Sequence, residues 1–148
     1  MKQYDKDGDY MDPATRLAGL LVTEENAASR KRIIAIPENS QDEMFELTKK
    51  EFLQGNGMGD GDTTKRSDVY TDLYRKTSKN DRLAAGHTLS QYERAYTQAF
   101  IAAAKAADPT WKAGKPIKPG ALDGITRESV EANLRKSGRT LSSVDMKI

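Results

Sequence analysis

Apolar residues recur along this chain at helical rather than strand spacing. Leu17, Leu20, Leu21, Ala28 and Ala35 fit one stripe, with Asp12 as an N-cap, Pro13 at the first helical position and Pro37 as the stop. This predicts a first helix over 12–36, with room for a break near Thr23–Asn26. The run Ile33–Ile36 also has strand composition, but nothing nearby in sequence offers it a partner. A second helix is predicted from the capping-box pair Ser40 and Glu43, with Phe45, Phe52 and Leu53 on its apolar face and Gly55 as its end.

Val69, Tyr70, Leu73 and Tyr74 define a short amphipathic helix within 63–79. Residues 80–87 read as a connector containing about one helical turn. The clearest helix follows, capped by Ser90 with Glu93 three residues on. Tyr92, Tyr96, Ala99, Phe100 and Ala103 form its stripe, and Asp108–Pro109 ends it. The segment 110–124 is rich in Pro, Gly and Lys and reads as an extended strap. A last helix opens at Thr126 and stops at Gly138, leaving a short tail.

No internal repeat and no sustained period-two alternation appears. The expectation is an all-α protein, an irregular bundle of four to five helices with extended N- and C-terminal arms. Its organisation is a helical body over 1–108, with a glycine-rich hinge at 55–62, and a strap, short helix and tail over 109–148.

Composition alters this picture in one respect. The 148 residues are 36% hydrophobic and 31% charged, and the mean hydropathy is −0.76. Globular domains usually carry about 45–50% apolar residues, glycine included. The core is therefore expected to be thin and the isolated chain only marginally stable. With no cysteine, disulfides, thiolate metal sites and thiol nucleophiles are excluded, and nothing points to an oxidising compartment. The N-terminus has no apolar stretch of a signal peptide, and no run approaches the roughly 18 apolar residues of a membrane span. A cytoplasmic or virion location without signal-peptide export is expected.

The formal charge of +2 is unevenly placed. Residues 1–62 carry 8 Lys+Arg against 13 Asp+Glu, and residues 63–148 carry 16 against 9. Such asymmetry suits head-to-tail association or two kinds of partner. Chance distribution over solvated helix faces produces it equally well.

Candidate chemistry is sparse. The loop 54–68 has glycines at 55, 57, 59 and 61, with Asp60 and Asp62 among them. It follows a helix, lacks the third glycine of a dinucleotide loop, and contains no P-loop lysine. An EF-hand register from Asn56 places Asp60 fifth and Gly61 sixth, but Met58 third and Ser67 twelfth, where a glutamate belongs. Asp5, Asp7 and Asp9 fit places one, three and five of another register, which then puts Tyr10 at the glycine place and Arg16 at the twelfth. Neither register closes, so no metal and no cofactor is expected. His87, the only histidine, has no motif of nucleophile and orienting acid around it. None of the 22 acids is singled out for carboxylate hydrolysis, and no catalytic residue is assigned.

The aromatics and the strap carry the interaction candidates. Tyr70/Tyr74 and Tyr92/Tyr96/Phe100 line their helices at i, i+4, a spacing suited to helix packing or an interface. Base stacking is the alternative. Trp111, with Lys112, Lys115 and Lys118 on a proline-stiffened strap, reads as a docking arm laid over a neighbour. The opposing reading folds the strap back, with Trp111 capping the chain's own core. Arg30, Lys31 and Arg32, like the strap lysines, suit phosphate contact.

The first functional expectation is a non-enzymatic structural or adaptor subunit of a large protein assembly. Its partners would be copies of itself and different proteins, and its most concrete form is a tailed-phage virion component. The alternative is a small nucleic-acid-binding accessory protein using the basic C-terminal half. An enzyme with a carboxylate site is the third reading.

Overall fold

The computed structural model describes residues 3–58 and 64–136. The fold is mostly helical. A two-residue antiparallel pair comes first, β1 (Met11–Asp12) and β2 (Leu17–Ala18), followed by α1 (Glu38–Gln54), α2 (Thr64–Arg75), α3 (Arg82–Ala107) and α4 (Arg127–Lys136). Short 3-10 turns at Ser29–Lys31 and Lys79–Asp81 precede α1 and α3. Helix α3 is the central rod. Helices α1 and α2 pack along it and on each other, and α4 crosses α3 and touches α1.

The predicted helix over 12–36 does not form. Asp12 does cap a turn, since its Oδ2 accepts from the Thr15 amide and hydroxyl. The turn stops at Arg16, which lies in the left-handed region at φ 64°, and the chain reverses as Met11 pairs with Ala18. Further on, Thr23 and Asn26 cap each other reciprocally, and Asn26 Nδ2 donates to the Leu21 carbonyl. Side chains that bond nearby backbone in this way compete with helical hydrogen bonding. The apolar stripe is accordingly split: Ala18 is buried, while Leu21 and Val22 are exposed.

Ile33–Ile36 runs extended into α1, and its partner is a side chain rather than a strand. The Ile34 amide donates to Thr88 Oγ1 at 3.0 Å, and that hydroxyl in turn bonds the Ala84 carbonyl within α3.

Pro37 is the start of α1, not the stop of a preceding helix. Its fixed φ of −58° with extended ψ ends the irregular segment, and its carbonyl accepts from the Ser40 and Gln41 amides. Ser40 is therefore inside the helix, buried, with its hydroxyl lacking a partner, so the Ser40/Glu43 box does not open α1. Phe45 and Phe52 are buried as expected, but Leu53 turns outward, 44% exposed. Gly55 caps the end.

Helix α3 is longer at its N-terminus than the sequence suggested. It begins at Arg82 and runs unbroken through Ser90, whose hydroxyl bonds back to the His87 carbonyl three residues earlier. Residues 82–87 form helix rather than connector because Ala84, Ala85 and Gly86 lie against the body with almost no exposed surface. Gly86 leaves room for a side chain of α2: a Cβ there would meet the Tyr74 hydroxyl at 2.6 Å. Thr126 caps α4 as expected, exchanging hydrogen bonds with Ser129. Gly138 and the tail lie outside the described residues.

The core is one cluster centred on α3. Met44, Phe45 and Phe52 of α1, Val69 and Leu73 of α2, and Leu89, Tyr96 and Phe100 of α3 fill it, with Trp111, Leu122 and Val130 closing one end. Phe45 meets Tyr96 edge-on at 5.1 Å and Phe100 at 5.5 Å, and Phe52 lies between Phe100 and Trp111. Aromatic contacts of this kind add to area burial, which lets a chain poor in aliphatic residues close a core.

Candidate functional site

A hollow lies between α1, α2 and α3. Its volume is about 300 Å³, and its walls include Thr48, Glu51, Phe52, Met58, Arg66 and Thr97. Arg66 organises it. Nε donates to Glu51 Oε1 at 2.6 Å and Nη1 to Glu93 Oε2 at 2.8 Å, while the Tyr70 hydroxyl donates to Glu93 Oε1 at 2.8 Å. Arg66 and Tyr70 stand one turn apart on α2, so one helix face presents both donors. Burial would lower the Arg66 pKa, but the hydrogen bonds to Glu93 and Glu51 outweigh it and raise it. Burial first and the Glu93 charge second push Tyr70 well above an ordinary phenol.

A guanidinium cannot serve as a base, and both carboxylates already accept from it. Phe52 and Met58 form an apolar wall of the hollow, Arg66 and Glu51 a charged one. The Thr48 hydroxyl faces neither water nor a partner. A shallower hollow of about 470 Å³, lined by Ser90, Glu93, Arg94 and Gln98, adjoins it across Thr97.

The residues singled out as interaction candidates differ in burial. Tyr96 and Phe100 are fully buried, and Trp111 is 4% exposed. Tyr92 stacks on Tyr96 at 6.2 Å, and Tyr70 and Tyr74 are half-buried on α2. The tyrosine stripes are helix-packing surfaces. Tyr96 donates to Glu131 of α4, and its pKa is driven upward by burial and then by that contact.

The strap folds back onto the body, and Trp111 packs into the chain's own core. Asp108 reverses the chain, accepting from the Trp111 amide through its carbonyl and from Thr110 through its side chain. The indole Nε1 donates to the Lys115 carbonyl at 2.8 Å. The ring lies over Gly57, whose positive φ and missing side chain leave it room, because a Cβ there would sit 2.7 Å from the indole. Lys115 turns back to Thr110, whereas Lys112 and Lys118 are exposed.

The charge asymmetry of the sequence is partly consumed inside the fold. Acids of the front half pair with cations of the back half: Asp5, Asp7 and Asp9 with Lys79, Glu38 and Asp42 with Arg127, and Glu51 with Arg66. Asp5, Asp7 and Asp9 converge as metal ligands would, but the Lys79 ammonium sits among them at 2.5–2.9 Å. Asp60 and Asp62 lie outside the described residues.

This tie predicts a local effect. Amide hydrogen bonds, the Asp9 one foremost, and then Lys79 hold the Asp5 carboxyl below its ordinary 3.8, while its three aspartates raise Lys79 above 10.5. A depressed acid contributes above its unfolded pKa and is lost as pH falls through the folded value. A raised lysine contributes below its unfolded pKa and is lost only as pH climbs through the higher folded one. The anchor therefore holds throughout the neutral range and releases below pH 3.8. Lys79→Met at neutral pH should remove hydrogen-exchange protection from the amides of residues 5–11 and leave global melting little changed, as for most exposed contacts. Unchanged protection would show that the N-terminal turn is held otherwise.

The sequence reading missed Arg66, Glu51 and Arg127. The one signal for them was the spacing of Arg66 to Tyr70 and of Arg127 to Glu131, each i, i+4.

The whole chain, residues 1–148, matches the model of a family described as Domain of unknown function (DUF3879), and it belongs to that family. No curated protein and no solved structure matches it.

Proposed function

We propose that this member of the DUF3879 family is a non-enzymatic structural or adaptor subunit of a larger protein assembly, with a tailed-phage virion component as the most concrete form. The observation that carries the reading is the apolar surface left open where α1 ends. Leu53 is 44% and Met58 56% exposed, beside a strap that is pinned there by the Gly114 amide donating to the Asn56 carbonyl. Met58 lines the mouth of the 300 Å³ hollow and lies against Gly114. Large apolar side chains on one fixed end of a body are a typical mark of a protein contact. The paired state of Glu51, Glu93 and Arg66 also favours binding over acid–base chemistry.

The partner assigned to this end is a second copy of the chain. An apolar patch is self-complementary under two-fold symmetry, whereas a patch of one charge is not. Among the described residues no helix is long and apolar enough to cross a membrane.

A photo-cross-linking residue in place of Leu53 tests the reading. Irradiation of the purified protein should give dimeric adducts that map to the strap and the Met58 turn of the other copy. Adducts within one chain only would contradict it.

A further inference from the structure

Beyond assembly, one corner of the molecule collects cations that form no ion pair among the described residues. The 3-10 turn Ser29–Lys31 packs on the first turns of α3. The Ile34 amide and the Arg32 carbonyl are both bonded to Thr88 Oγ1 there, which fixes the segment beside His87. Arg94 stands two turns further along the same helix face. Lys31, Arg30 and Arg94 are close enough to His87 for their charges, after burial, to lower its pKa.

Among the described residues no carboxylate lies within ion-pair distance of Arg30, Lys31 or Arg94. Arg32, by contrast, is paired with Asp81, and the nearby Glu93 is committed to Arg66 and Tyr70. Arg30 also keeps its Nε shielded from solvent with no acceptor. A shielded donor without a partner is costly, and turning the guanidinium outward onto an anion would remove that cost.

The same face of α3 continues through the exposed residues Gln98 and Lys105. From His87 to Lys105 it extends about 27 Å at the helical rise, enough to follow several successive phosphates. Tyr92, on the same helix, is stacked on Tyr96.

We infer that Arg30, Lys31 and Arg94, continued by Gln98 and Lys105, form a binding face for the phosphodiester backbone of double-stranded nucleic acid, read without regard to base sequence.

Fluorescence anisotropy with a labelled duplex of mixed sequence tests this across a salt series. The native protein should bind the duplex with a steep salt dependence. Arg30→Gln/Lys31→Gln/Arg94→Gln should weaken binding about tenfold or more at low salt and reduce the log–log salt slope by about 2 to 3, since each phosphate contact contributes about 0.9. Lys31→Gln/Arg94→Gln, which leaves the shielded Arg30 in place, should show about two thirds of the slope change and melt as the native protein does. Lys112→Gln/Lys118→Gln, on the strap, should bind normally. The inference is overturned if the native protein binds no duplex, if binding survives the triple substitution, or if the strap pair loses as much. It is equally overturned if only single strands, inorganic phosphate or a phosphopeptide bind at this corner.

Discussion

Arg127→Ala is expected to destabilise the protein by about 3–5 kcal/mol, the usual effect of breaking a buried ion pair by removing one partner. Arg127 opens α4 yet is 7% exposed. Its Nε donates to Asp42 at 2.5 Å, and its Nη1 to Gln41 at 2.7 Å and to Glu131 at 2.9 Å. Glu131, 6% exposed, also accepts from the buried Tyr96 hydroxyl. Burial would lower the Arg127 pKa, but the Glu131 charge and the bonds to Asp42 and Glu131 overcome it and raise it.

One guanidinium thus joins α4 to α1, and its carboxylate partner joins α4 to α3. Without it, Glu131 is an uncompensated charge in the interior. Domains of this size are stable by about 5–15 kcal/mol, so the loss is a large share of the total. Urea denaturation followed by circular dichroism measures it. Glu131→Gln in the Arg127→Ala background should recover part of the loss, because an amide still accepts from Tyr96 and carries no charge. A cost below about 1 kcal/mol, the range of an exposed pair, would show that α4 is docked by its apolar residues alone.

Trp111→Ala is expected to cost about 3–5 kcal/mol, the range for large aromatic-to-alanine changes in a core. The substitution empties the space between Phe52 and Gly57 and removes the indole bond that fixes the strap. Trp111 is the only tryptophan, so its own emission reports the state of the strap. It should be blue-shifted in the native protein and shift red in the same transition as the helical signal. The variant should melt far earlier than the native protein. If it melts normally yet no longer associates, Trp111 serves a neighbour and the strap is an external arm.

That outcome separates two readings that sequence alone could not. The spacing of Trp111 among prolines and lysines fits a docking arm as well as a strap, because what seats the ring lies elsewhere in the chain. Its seat is made by Phe52 and by the missing side chain of Gly57. Helices whose apolar residues repeat cleanly were legible: α2 from Val69 and Leu73, the C-terminal part of α3 from Tyr96 and Phe100, and the start of α4 from Thr126. Segment 12–36 was not, although its stripe looks helical. Local capping by Asp12, Thr23 and Asn26, and a left-handed Arg16, outcompeted the periodicity.

The candidate site was least legible of all. Arg66 draws its two glutamates from 15 residues before and 27 after it, a distance no local pattern reports. The charge asymmetry was visible, but part of it is internal, with Lys79, Arg66 and Arg127 holding acids of the other half. Arg30, Lys31 and Arg94, which join none of these pairs, become distinctive only once the fold sets them beside His87.

Sedimentation velocity on the native protein and on Leu53→Ser/Met58→Ser, across a wide range of concentration, tests the assembly account most directly. The native chain should shift from monomer to larger species as concentration rises. The double variant should remain monomeric with its melting temperature nearly unchanged, because both side chains are exposed in the folded monomer. A native chain that stays monomeric at every concentration, or a double variant that associates just as the native chain does, would contradict it.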